Sequence, residues 1–503
     1  MAKVTRRKSL QLLGMASVAP LMATKGSGKP SFPSLLPGFV ASASVGPKRT
    51  IPHALFGLND GASLPRHIGE YIDNREFMRT FAQLAPGILR YPGGTIANWF
   101  DLGTGEMLKH PSVPNTKTVA DLSRYPFTWS VYKKLLDQAD SESSIVLNLL
   151  TGNLESQIAA LKSAQKVGVP ITRIELGNEY YLAGSGGSDG YETVFPDGVS
   201  YARVANKYAR AVKREFPDCR IGVCMNSNVH LRVPRSREWN QSLLSSVDSS
   251  IDAVIPHIYH DPPSTLFGDR HNKPTTDALA ERGGPQLIFS LALDPRPLSF
   301  IREATASRPY EIWITETNLR DFGGKIAGTW THGLFVAFDL MNLLNLPTLN
   351  MALLHDVIGR VMYGTIFSKS DGNTFPGTDL HYQPDTLSAS GMGCMMLFQA
   401  ARGKHSAAPL EFDRNPMQTG LLDSRVPSLY GWVFDEDSML VLNLSPQTCN
   451  LKIPKLRLAG LKHTQLFGDP VKYVASLSSL KQLHGITGTK INLPPYSITR
   501  IGK

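Results

Sequence analysis

Residues 311–318 read EIWITETN, a short run of apolar and β-branched side chains that finishes in polar and ionisable ones. A second run of this kind, RIELGNE, occupies residues 173–179. Strands buried on both faces of a parallel sheet are nearly continuously apolar, and in a closed barrel their carboxyl ends form the reactive face. The two runs therefore predict parallel strands whose last residues lie at the mouth of a barrel.

Six further runs of the same kind are separated by longer segments with helical periodicity. Repeated strand–helix units predict an α/β fold, here a (β/α)8 TIM barrel over residues 50–400. Residues 200–216 have the periodicity of a surface helix, whereas residues 330–345 are apolar nearly all round, which predicts a buried helix. The eight runs, in chain order, are 53–59, 88–94, 144–149, 173–179, 220–226, 253–260, 311–318 and 350–356.

After about residue 404 the pattern changes to short strands separated by Pro, Asn, Gly and Asp. This pattern predicts a smaller C-terminal β-sandwich over residues 405–503. The alternation of apolar and polar residues near its end is typical of a half-buried antiparallel strand. The predicted strands are 430–434, 439–444, 450–453, 463–467, 490–493 and 496–501.

Residues 1–43 are predicted to be an export signal followed by a disordered leader. A basic cluster precedes a short apolar stretch, which is the layout of an export signal rather than of a membrane anchor. Residues 5–10, TRRKSL, resemble the twin-arginine signal, although Ser9 stands where that signal usually has a bulky apolar residue. Cleavage could follow Ala43 or Ala23, and the alternative is an ordinary basic amphipathic helix. The signal implies the twin-arginine export machinery as a partner and a periplasmic or extracellular location.

The charge of the chain is concentrated at its beginning. The formal net charge is +10, and six basic residues with no acidic residue lie in residues 1–43, so the remaining chain carries about +4. This mild excess removes the main support for nucleic-acid binding. In the body of the chain no apolar run is long enough to span a bilayer.

The cysteines are too few and too far apart for a disulfide framework or a zinc site. Buried free thiols are the favoured interpretation, although Cys219 and Cys224 could pair. The chain has four, Cys219, Cys224, Cys394 and Cys449.

Glu179 and Glu316 end the fourth and the seventh of the predicted strands. Cleavage of a glycosidic bond with retention requires two carboxyl groups about 5 Å apart, one protonated to assist the leaving group and one ionised to attack the anomeric carbon. Burial raises the proton affinity of a carboxylate, whereas an adjacent donor holds it ionised. The pair suits this chemistry, whereas a lone glutamate is usually a solvated surface charge.

The Asn-Glu pair at 178–179 and Glu316, 137 residues after Glu179, resemble the clan A glycoside hydrolases, which are retaining enzymes on (β/α)8 barrels. The resemblance covers about residues 50–360. It implies that Glu179 is the acid/base, that Glu316 is the nucleophile, and that Asn178 hydrogen-bonds the 2-hydroxyl of the sugar.

Two other segments carry the same resemblance. Residues 89–95, LRYPGGT, resemble the Arg-Tyr-Pro-Gly-Gly segment of α-L-arabinofuranosidases and the comparable segment of heparanase-like β-glucuronidases. Arg90 at this strand end is expected to steady the charge of the nucleophile, with a barrel-bottom ion pair as the alternative. Residues 257–260, HIYH, resemble the clan's strand six, which implies that the Tyr259 hydroxyl bonds the nucleophile.

His257, His355 and Asn318, all at strand ends, complete the predicted substrate-binding set. Three strand-end histidines, with His260, also suggest a metal site, but hydrogen-bonding histidines are the favoured interpretation, and no metal or cofactor is predicted. Tryptophans could stack on a sugar or belong to the core. These are Trp99, Trp129 and Trp330.

The sequence thus predicts a retaining glycoside hydrolase that cleaves an oligosaccharide or polysaccharide through a covalent glycosyl-enzyme. Its substrate is either α-L-arabinofuranosidase-like or β-glucuronidase/heparanase-like, and the sequence leaves this open. The alternatives are a carbohydrate-binding barrel without catalysis and a transglycosylase.

Overall fold

The computed structural model describes most of the chain after residue 36. Residues 1–36, which include the predicted export signal and most of the predicted leader, lie outside the described residues. The described ranges are 37–61, 63–108, 126–182, 191–227, 234–263, 284–321, 326–359, 364–369, 373–376, 378–453, 456 and 458–502.

Eight parallel strands close into a barrel, which confirms the predicted fold class. The sixth strand is interrupted at His257, and both of its parts pair with the seventh. Register places Arg90 beside Asn59, the last residue of strand one, and beside Ser144 in the middle of strand three. Barrel strands one to eight are Phe56–Asn59, Ile88–Tyr91, Glu142–Leu147, Arg173–Leu176, Arg220–Met225, Ala253–Pro256 with Ile258–His260, Glu311–Leu319 and Leu349–His355.

The helices follow these strands along the chain, and several of them begin where a polar side chain caps the first turn. Asn74 and Asn153 accept hydrogen bonds from first-turn amides, and Asp197 forms a capping box with Ser200. The α-helices are Ser63–Tyr71, Arg75–Leu84, Trp129–Ala139, Leu154–Lys166, Tyr191–Val194, Gly198–Glu215, Pro234–Leu244, Gln286–Phe289, Pro295–Ala304, Trp330–Leu343 and Ala389–Ala401. Short 3-10 turns cover Thr95–Trp99, Ser290–Leu293, Leu421–Asp423 and Leu477–Ser479.

The helix Trp330–Leu343 is buried along its whole length, as its composition predicts. Its first residues contact the second domain: the Trp330 indole donates to the Tyr496 carbonyl at 2.7 Å, and the Thr331 hydroxyl donates to the Pro470 carbonyl at 2.8 Å. A helix covered on every side needs no polar face, which explains its sequence.

A second sheet, mainly antiparallel, folds over to form the predicted sandwich. One apolar cluster joins its two parts, with Phe39 and Leu451 from one and Val433 and Val441 from the other. The six predicted strands are found within one residue at each end. In spatial order the strands are Lys481–Ile486, Lys462–Phe467, Ser497–Ile501, Ser438–Asn443, Leu429–Phe434, Ser406–Phe412, Phe39–Val45, Cys449–Lys452 and Lys490–Leu493, with Arg49–Thr50 beside Ser406–Phe412.

The strand Phe39–Val45 corrects the predicted leader, which extended to residue 43. It pairs in parallel with Cys449–Lys452 and antiparallel with Ser406–Phe412, and Phe39 and Ala41 are buried. Its alanines and serines carry little hydrophobic signal, and its partners lie more than 300 residues away. Cleavage after Ala43 would remove most of this strand.

Three two-stranded ribbons complete the secondary structure: Phe100–Asp101 with Glu106–Met107, Ile358–Gly359 with Ile366–Phe367, and Met417–Thr419 with Arg425–Pro427. All four cysteines are buried and unpaired. Among the described helices, none has the length and hydropathy to cross a membrane.

Candidate active site

Strand four ends in a tight turn that turns Glu179 toward the barrel mouth. Gly177 has φ +91°, and a Cβ there would lie 2.0 Å from the Tyr180 ring, so only glycine fits. Glu179 itself has φ +52°, in the left-handed region that side-chain-bearing residues rarely adopt. The Leu182 amide donates to the Glu179 carbonyl at 2.9 Å and closes the turn.

The end of strand two requires glycine for a similar reason. A Cβ on Gly93 would lie 1.7 Å from Asn59 Oδ1, and Gly94 has φ +69°. A Cβ on Gly94 would lie 3.9 Å from Glu316 Oε1. Gly93 thus lets the backbone pass close to Asn59, and Gly94 permits the left-handed backbone next to Glu316.

Glu179 and Glu316 face each other across the mouth of the barrel. Oxygen atoms of the two carboxylates and a His257 ring nitrogen all lie within 4.8 Å of one another. The Glu316 side chain is 6% exposed, whereas the Glu179 side chain is 18% exposed. The separation fits the spacing of about 5–5.5 Å in retaining glycosidases and is shorter than the roughly 6.5–9.5 Å of inverting ones.

Glu316 is held as an anion. Arg90 Nη1 donates to its Oε1 at 2.9 Å, and the Tyr259 hydroxyl donates to its Oε2 at 2.6 Å. Burial by itself raises the pKa of Glu316, but the positive charges of His257 and Arg90 and the Tyr259 hydrogen bond outweigh it and hold that pKa well below its usual range. The carboxylate is therefore ready to act as a nucleophile.

Arg90 is the fully buried centre of the site. Its Nε donates to Glu175 Oε2 at 2.9 Å, and its Nη2 donates to Asn178 Oδ1 at 2.9 Å. Burial by itself lowers the pKa of Arg90, but Glu175 and Glu316 raise it above its ordinary value. The guanidinium thus stays charged and fixes two carboxylates and the amides of Asn178 and Asn59 at once.

Asn178 is left with a donor for a ligand. Its Oδ1 is occupied by Arg90, which fixes the orientation of the amide. Its Nδ2 is buried and has no hydrogen-bond partner among the described residues. A buried donor without a partner costs free energy, so a substrate hydroxyl at this place would be bound favourably.

His257 joins the two glutamates. Its Nδ1 lies 2.9 Å from Glu179 Oε1 and 3.6 Å from Glu316 Oε2. Burial by itself lowers the pKa of His257, but the charge of Glu316 and the hydrogen bond with Glu179 raise it above its ordinary value. The imidazole therefore tends to keep a proton between the two carboxylates.

Thr315 determines which nitrogen of His257 titrates. The Thr315 hydroxyl has a single hydrogen, which it donates to Glu175 Oε2 at 3.2 Å. Its oxygen therefore accepts from His257 Nε2, 3.1 Å away. With Nε2 protonated, Nδ1 is the atom that gains or loses a proton, so His257 and Glu179 can share one proton.

Tyr181 is the second neighbour of Glu179. Its hydroxyl donates to Glu179 Oε1 at 3.1 Å. Burial and the adjacent Glu179 raise the pKa of Tyr181 well above its ordinary value, so the group remains a phenol and a donor. Glu179 thus has two hydrogen-bond partners on one oxygen. The charged guanidinium of Arg90 bonds Glu316 instead of Glu179.

His355 is placed through Asn59. Arg90 Nη1 donates to Asn59 Oδ1 at 3.1 Å, so the Asn59 amide nitrogen faces His355 Nδ1 at 2.6 Å. His355 Nδ1 accepts this bond, and its Nε2 carries the hydrogen. Burial lowers the pKa of His355, which favours the neutral ring. His355 lines the cavity above the two glutamates.

Asn318 is not brought into the cavity. It is fully buried, its Nδ2 donates to the His355 carbonyl, and its Oδ1 accepts from His332 Nε2 at 2.9 Å. Asn318 was predicted to contact substrate, but its amide bonds His332 and the His355 carbonyl instead and so holds the end of strand eight. The three tryptophans that could have stacked on a sugar are also buried. They are Trp99, Trp129 and Trp330, at 2%, 5% and 0% exposure.

A cavity of about 480 Å³ opens above the two glutamates. Its outer wall carries two arginine–aspartate pairs: Arg320 Nε donates to Asp261 Oδ1 at 2.8 Å, and Arg296 Nε donates to Asp294 Oδ1 at 2.8 Å. The Arg320 guanidinium lies 5.3 Å from the centre of the Tyr259 ring. The cavity is therefore polar and large enough for a sugar residue.

Among the described residues, the one group of three that could hold a metal ion is Glu179, His257 and Glu316. The hydrogen bond between Glu179 and His257 already accounts for their approach. The sequence missed Glu175, Thr315 and Tyr181. A charged residue inside an apolar strand was the available signal for Glu175, whereas nothing in the sequence marks the other two.

No protein-family model and no curated protein matches this chain. Solved structures do match it. A family 51 α-L-arabinofuranosidase from Bifidobacterium longum has a TM-score of 0.66 at 16% identity, covering 91% of this chain and 99% of its own. A family 51 arabinofuranosidase from Xanthomonas axonopodis pv. citri has a TM-score of 0.64 at 14% identity, covering 92% and 99%.

A 4-O-α-L-rhamnosyl-β-D-glucuronidase from Fusarium oxysporum 12S is similar over 93% of this chain and 100% of its own, with a TM-score of 0.57 at 15% identity. At these identities the likeness is one of fold. It confirms the predicted barrel with a trailing sandwich. It also confirms the resemblance in fold to glycoside hydrolases, here arabinofuranosidases and a glucuronidase.

Proposed function

We propose that this protein is a retaining glycoside hydrolase, with Glu316 as the nucleophile and Glu179 as the acid/base. The observation that supports this best is the pair of carboxylates, with oxygens within 4.8 Å, in two different environments. Glu316 bonds Arg90 and Tyr259, whereas Glu179 bonds His257 and Tyr181. Such a difference separates an ionised nucleophile from a proton donor.

In the first step Glu179 protonates the glycosidic oxygen while Glu316 Oε2 or Oε1 attacks the anomeric carbon. The bond to the leaving group breaks, and the leaving group departs as an alcohol. A covalent glycosyl-enzyme ester forms on Glu316. The negative charge of Glu316 is lost in this step, which leaves the Arg90 charge balanced by Glu175 alone.

In the second step Glu179, now ionised, takes a proton from water, whose oxygen attacks the anomeric carbon. The ester bond to Glu316 breaks, and configuration is retained overall. During this step His257 Nδ1 can hydrogen-bond Glu179, so the proton taken from water can be shared between these two residues. Asn178 Nδ2, without a partner of its own, would bind the 2-hydroxyl of the sugar.

The substrate class is a carbohydrate with an O-glycosidic bond. Similar folds include α-L-arabinofuranosidases and a rhamnosyl-glucuronidase, so arabinofuranosides and β-glucuronides are the two candidates. Export by the twin-arginine route is also proposed, on the basis of residues 5–10.

A panel of aryl α-L-arabinofuranoside, β-glucuronide, β-xyloside and β-glucoside tests the proposal. Hydrolysis of at least one is expected, with loss of turnover in Glu316→Ala by at least about 10⁴-fold and little change in folding. Full activity in Glu316→Ala would overturn the assignment. Binding without turnover would indicate a carbohydrate-binding barrel, and transfer to an added sugar in preference to water would indicate a transglycosylase.

The acid role of Glu179 has a separate signature. Glu179→Ala should slow substrates with poor leaving groups far more than activated aryl glycosides, because only the former need protonation. Equal losses on both kinds of substrate would argue against this role.

A further inference from the structure

Arg235 binds the backbone that carries the proposed acid/base. It is the second residue of the helix Pro234–Leu244, which follows strand five. Within the described residues its guanidinium donates only to backbone carbonyl oxygens. These are Tyr180 at 2.6 Å, Tyr181 at 2.9 Å, Leu182 at 3.1 Å, Phe195 at 2.6 Å and 3.2 Å, and Pro196 at 3.1 Å.

The first three of these carbonyls belong to the residues directly after Glu179. The Arg235 guanidinium lies over the Trp239 ring, 4.8 Å from its centre, and Trp239 is fully buried. This cation–π contact helps to hold the arginine in place. Ser236, the next residue, donates from its hydroxyl to the Tyr181 carbonyl at 2.9 Å. One end of this helix thus holds the segment 180–182 by several hydrogen bonds.

This segment determines where the Glu179 carboxylate lies. The Tyr181 backbone is held by Arg235, and the Tyr181 hydroxyl donates to Glu179 Oε1. Glu179 has φ +52°, a conformation that persists in a residue with a side chain only when its surroundings enforce it. A guanidinium presents five donors in a rigid plane, whereas a lysine ammonium has only three at a single nitrogen and cannot reach all five of these carbonyls at once.

We propose that Arg235 is a positioning residue for acid/base catalysis: it holds the turn 180–182 so that Glu179 stays within reach of the glycosidic oxygen. This proposal rests on the proposed function. Displacement of a catalytic group by about 1 Å can cost on the order of 100-fold in rate, so loosening this turn should affect the steps that need Glu179.

Arg235→Lys is the test, because it keeps the positive charge and removes the planar guanidinium with its five donors. We expect kcat/KM on an aryl glycoside with a poor leaving group to fall about 10- to 100-fold, and on an activated aryl glycoside by less than about threefold. Sodium azide should restore turnover of the activated substrate in this variant where deglycosylation limits it, since azide attacks the glycosyl-enzyme without a general base. A purely structural role would not produce this dependence on leaving group and nucleophile.

Arg49→Lys is the matched control. Arg49 is also partly buried and donates to the backbone carbonyls of Leu346 at 2.6 Å and Pro347 at 3.1 Å, next to the amino end of strand eight. This variant loses a comparable set of hydrogen bonds away from the site. Equal losses on both substrates in Arg235→Lys, or the same leaving-group dependence in Arg49→Lys, would overturn the proposal.

Ser236→Ala provides a second variant if Arg235→Lys does not fold. It removes one hydrogen bond to the Tyr181 carbonyl and should show the same leaving-group dependence to a smaller degree. Equal losses on both substrates in Ser236→Ala would then overturn the proposal. A wild-type protein that cleaves no glycoside of the panel would instead overturn the proposed function, and this proposal with it.

Discussion

Two arginines at opposite ends of the barrel make ion pairs of similar geometry in different surroundings. At the mouth, Arg90 lies 2.9 Å from both Glu175 and Glu316, and its side chain is fully buried. At the amino ends of the strands, Arg220 lies 2.7 Å from both Asp252 and Glu311, and its side chain is 47% exposed. The difference between the two sites is therefore access to water rather than distance.

Water decides what each arrangement contributes. An ion pair whose cation remains in contact with water is screened and adds little stability, so the Arg220 pairs mainly tie neighbouring strand ends together. Buried ion pairs have lost their hydration, and removal of one partner leaves an uncompensated charge. The mouth of the barrel thus contains a costly arrangement whose clearest benefit is the fixed charge of Glu316.

The largest effect is expected for Arg90→Met. Glu175 and Glu316 would be left buried without their counter-ion, which should lower the free energy of unfolding by about 3–5 kcal/mol. Without Arg90 the pKa of Glu316 should rise, and kcat/KM should fall by at least about 100-fold. Denaturant unfolding and steady-state kinetics measure the two effects. Wild-type stability with wild-type kinetics would show that the buried pair has neither role.

An intermediate effect is expected for His257→Asn, read from the pH dependence of kcat/KM. The pKa of His257 is raised by the carboxylates around it, so the imidazole, which lies 2.9 Å from Glu179 Oε1, keeps its proton to higher pH. Its removal should move the alkaline limb to lower pH. Glu316 also loses a positive neighbour, so its pKa should rise and the acid limb should move to higher pH. An unchanged profile would exclude proton sharing.

The smallest effect is expected for Arg220→Met at the other end of the barrel. The Arg220 side chain is 47% exposed, whereas its partners Asp252 and Glu311 are 11% and 22% exposed, and Asp252 keeps a second cation in Lys213. Loss of Arg220 should therefore cost about 0–1 kcal/mol of the free energy of unfolding, less in high salt, and kcat/KM should not change. Thermal or denaturant unfolding at two salt concentrations provides the measurement. A loss as large as that of Arg90→Met would remove the contrast between the two ends.

The sequence predicted the barrel because its eight strands carry the signal themselves, in apolar runs that end in polar residues. It failed at Phe39–Val45, whose small side chains become a strand only through partners more than 300 residues away. The barrel strands form mainly because of their own local composition. The strand Phe39–Val45 forms because of its distant partners, which local composition does not reveal.

The same limit applies to the site. Glu179, Glu316, Arg90 and Asn178 stand in recognisable segments, and their side chains meet. The prediction for Asn318 had the right strand end but not the direction of the side chain, whose amide bonds the His355 carbonyl and His332 instead. Contacts that depend on side-chain direction across strands, such as those of Thr315, cannot be found from one strand alone.

The most direct test of the central claim is to trap the glycosyl-enzyme. An aryl 2-deoxy-2-fluoroglycoside of the sugar that the panel identifies should react and then turn over slowly, because fluorine destabilises both oxocarbenium-like transition states. Mass mapping of the digested protein should place one sugar on Glu316, in the peptide containing residues 311–318. An adduct on another residue, or product of inverted configuration from an unmodified protein, would contradict the assignment of Glu316 as the nucleophile of a retaining enzyme.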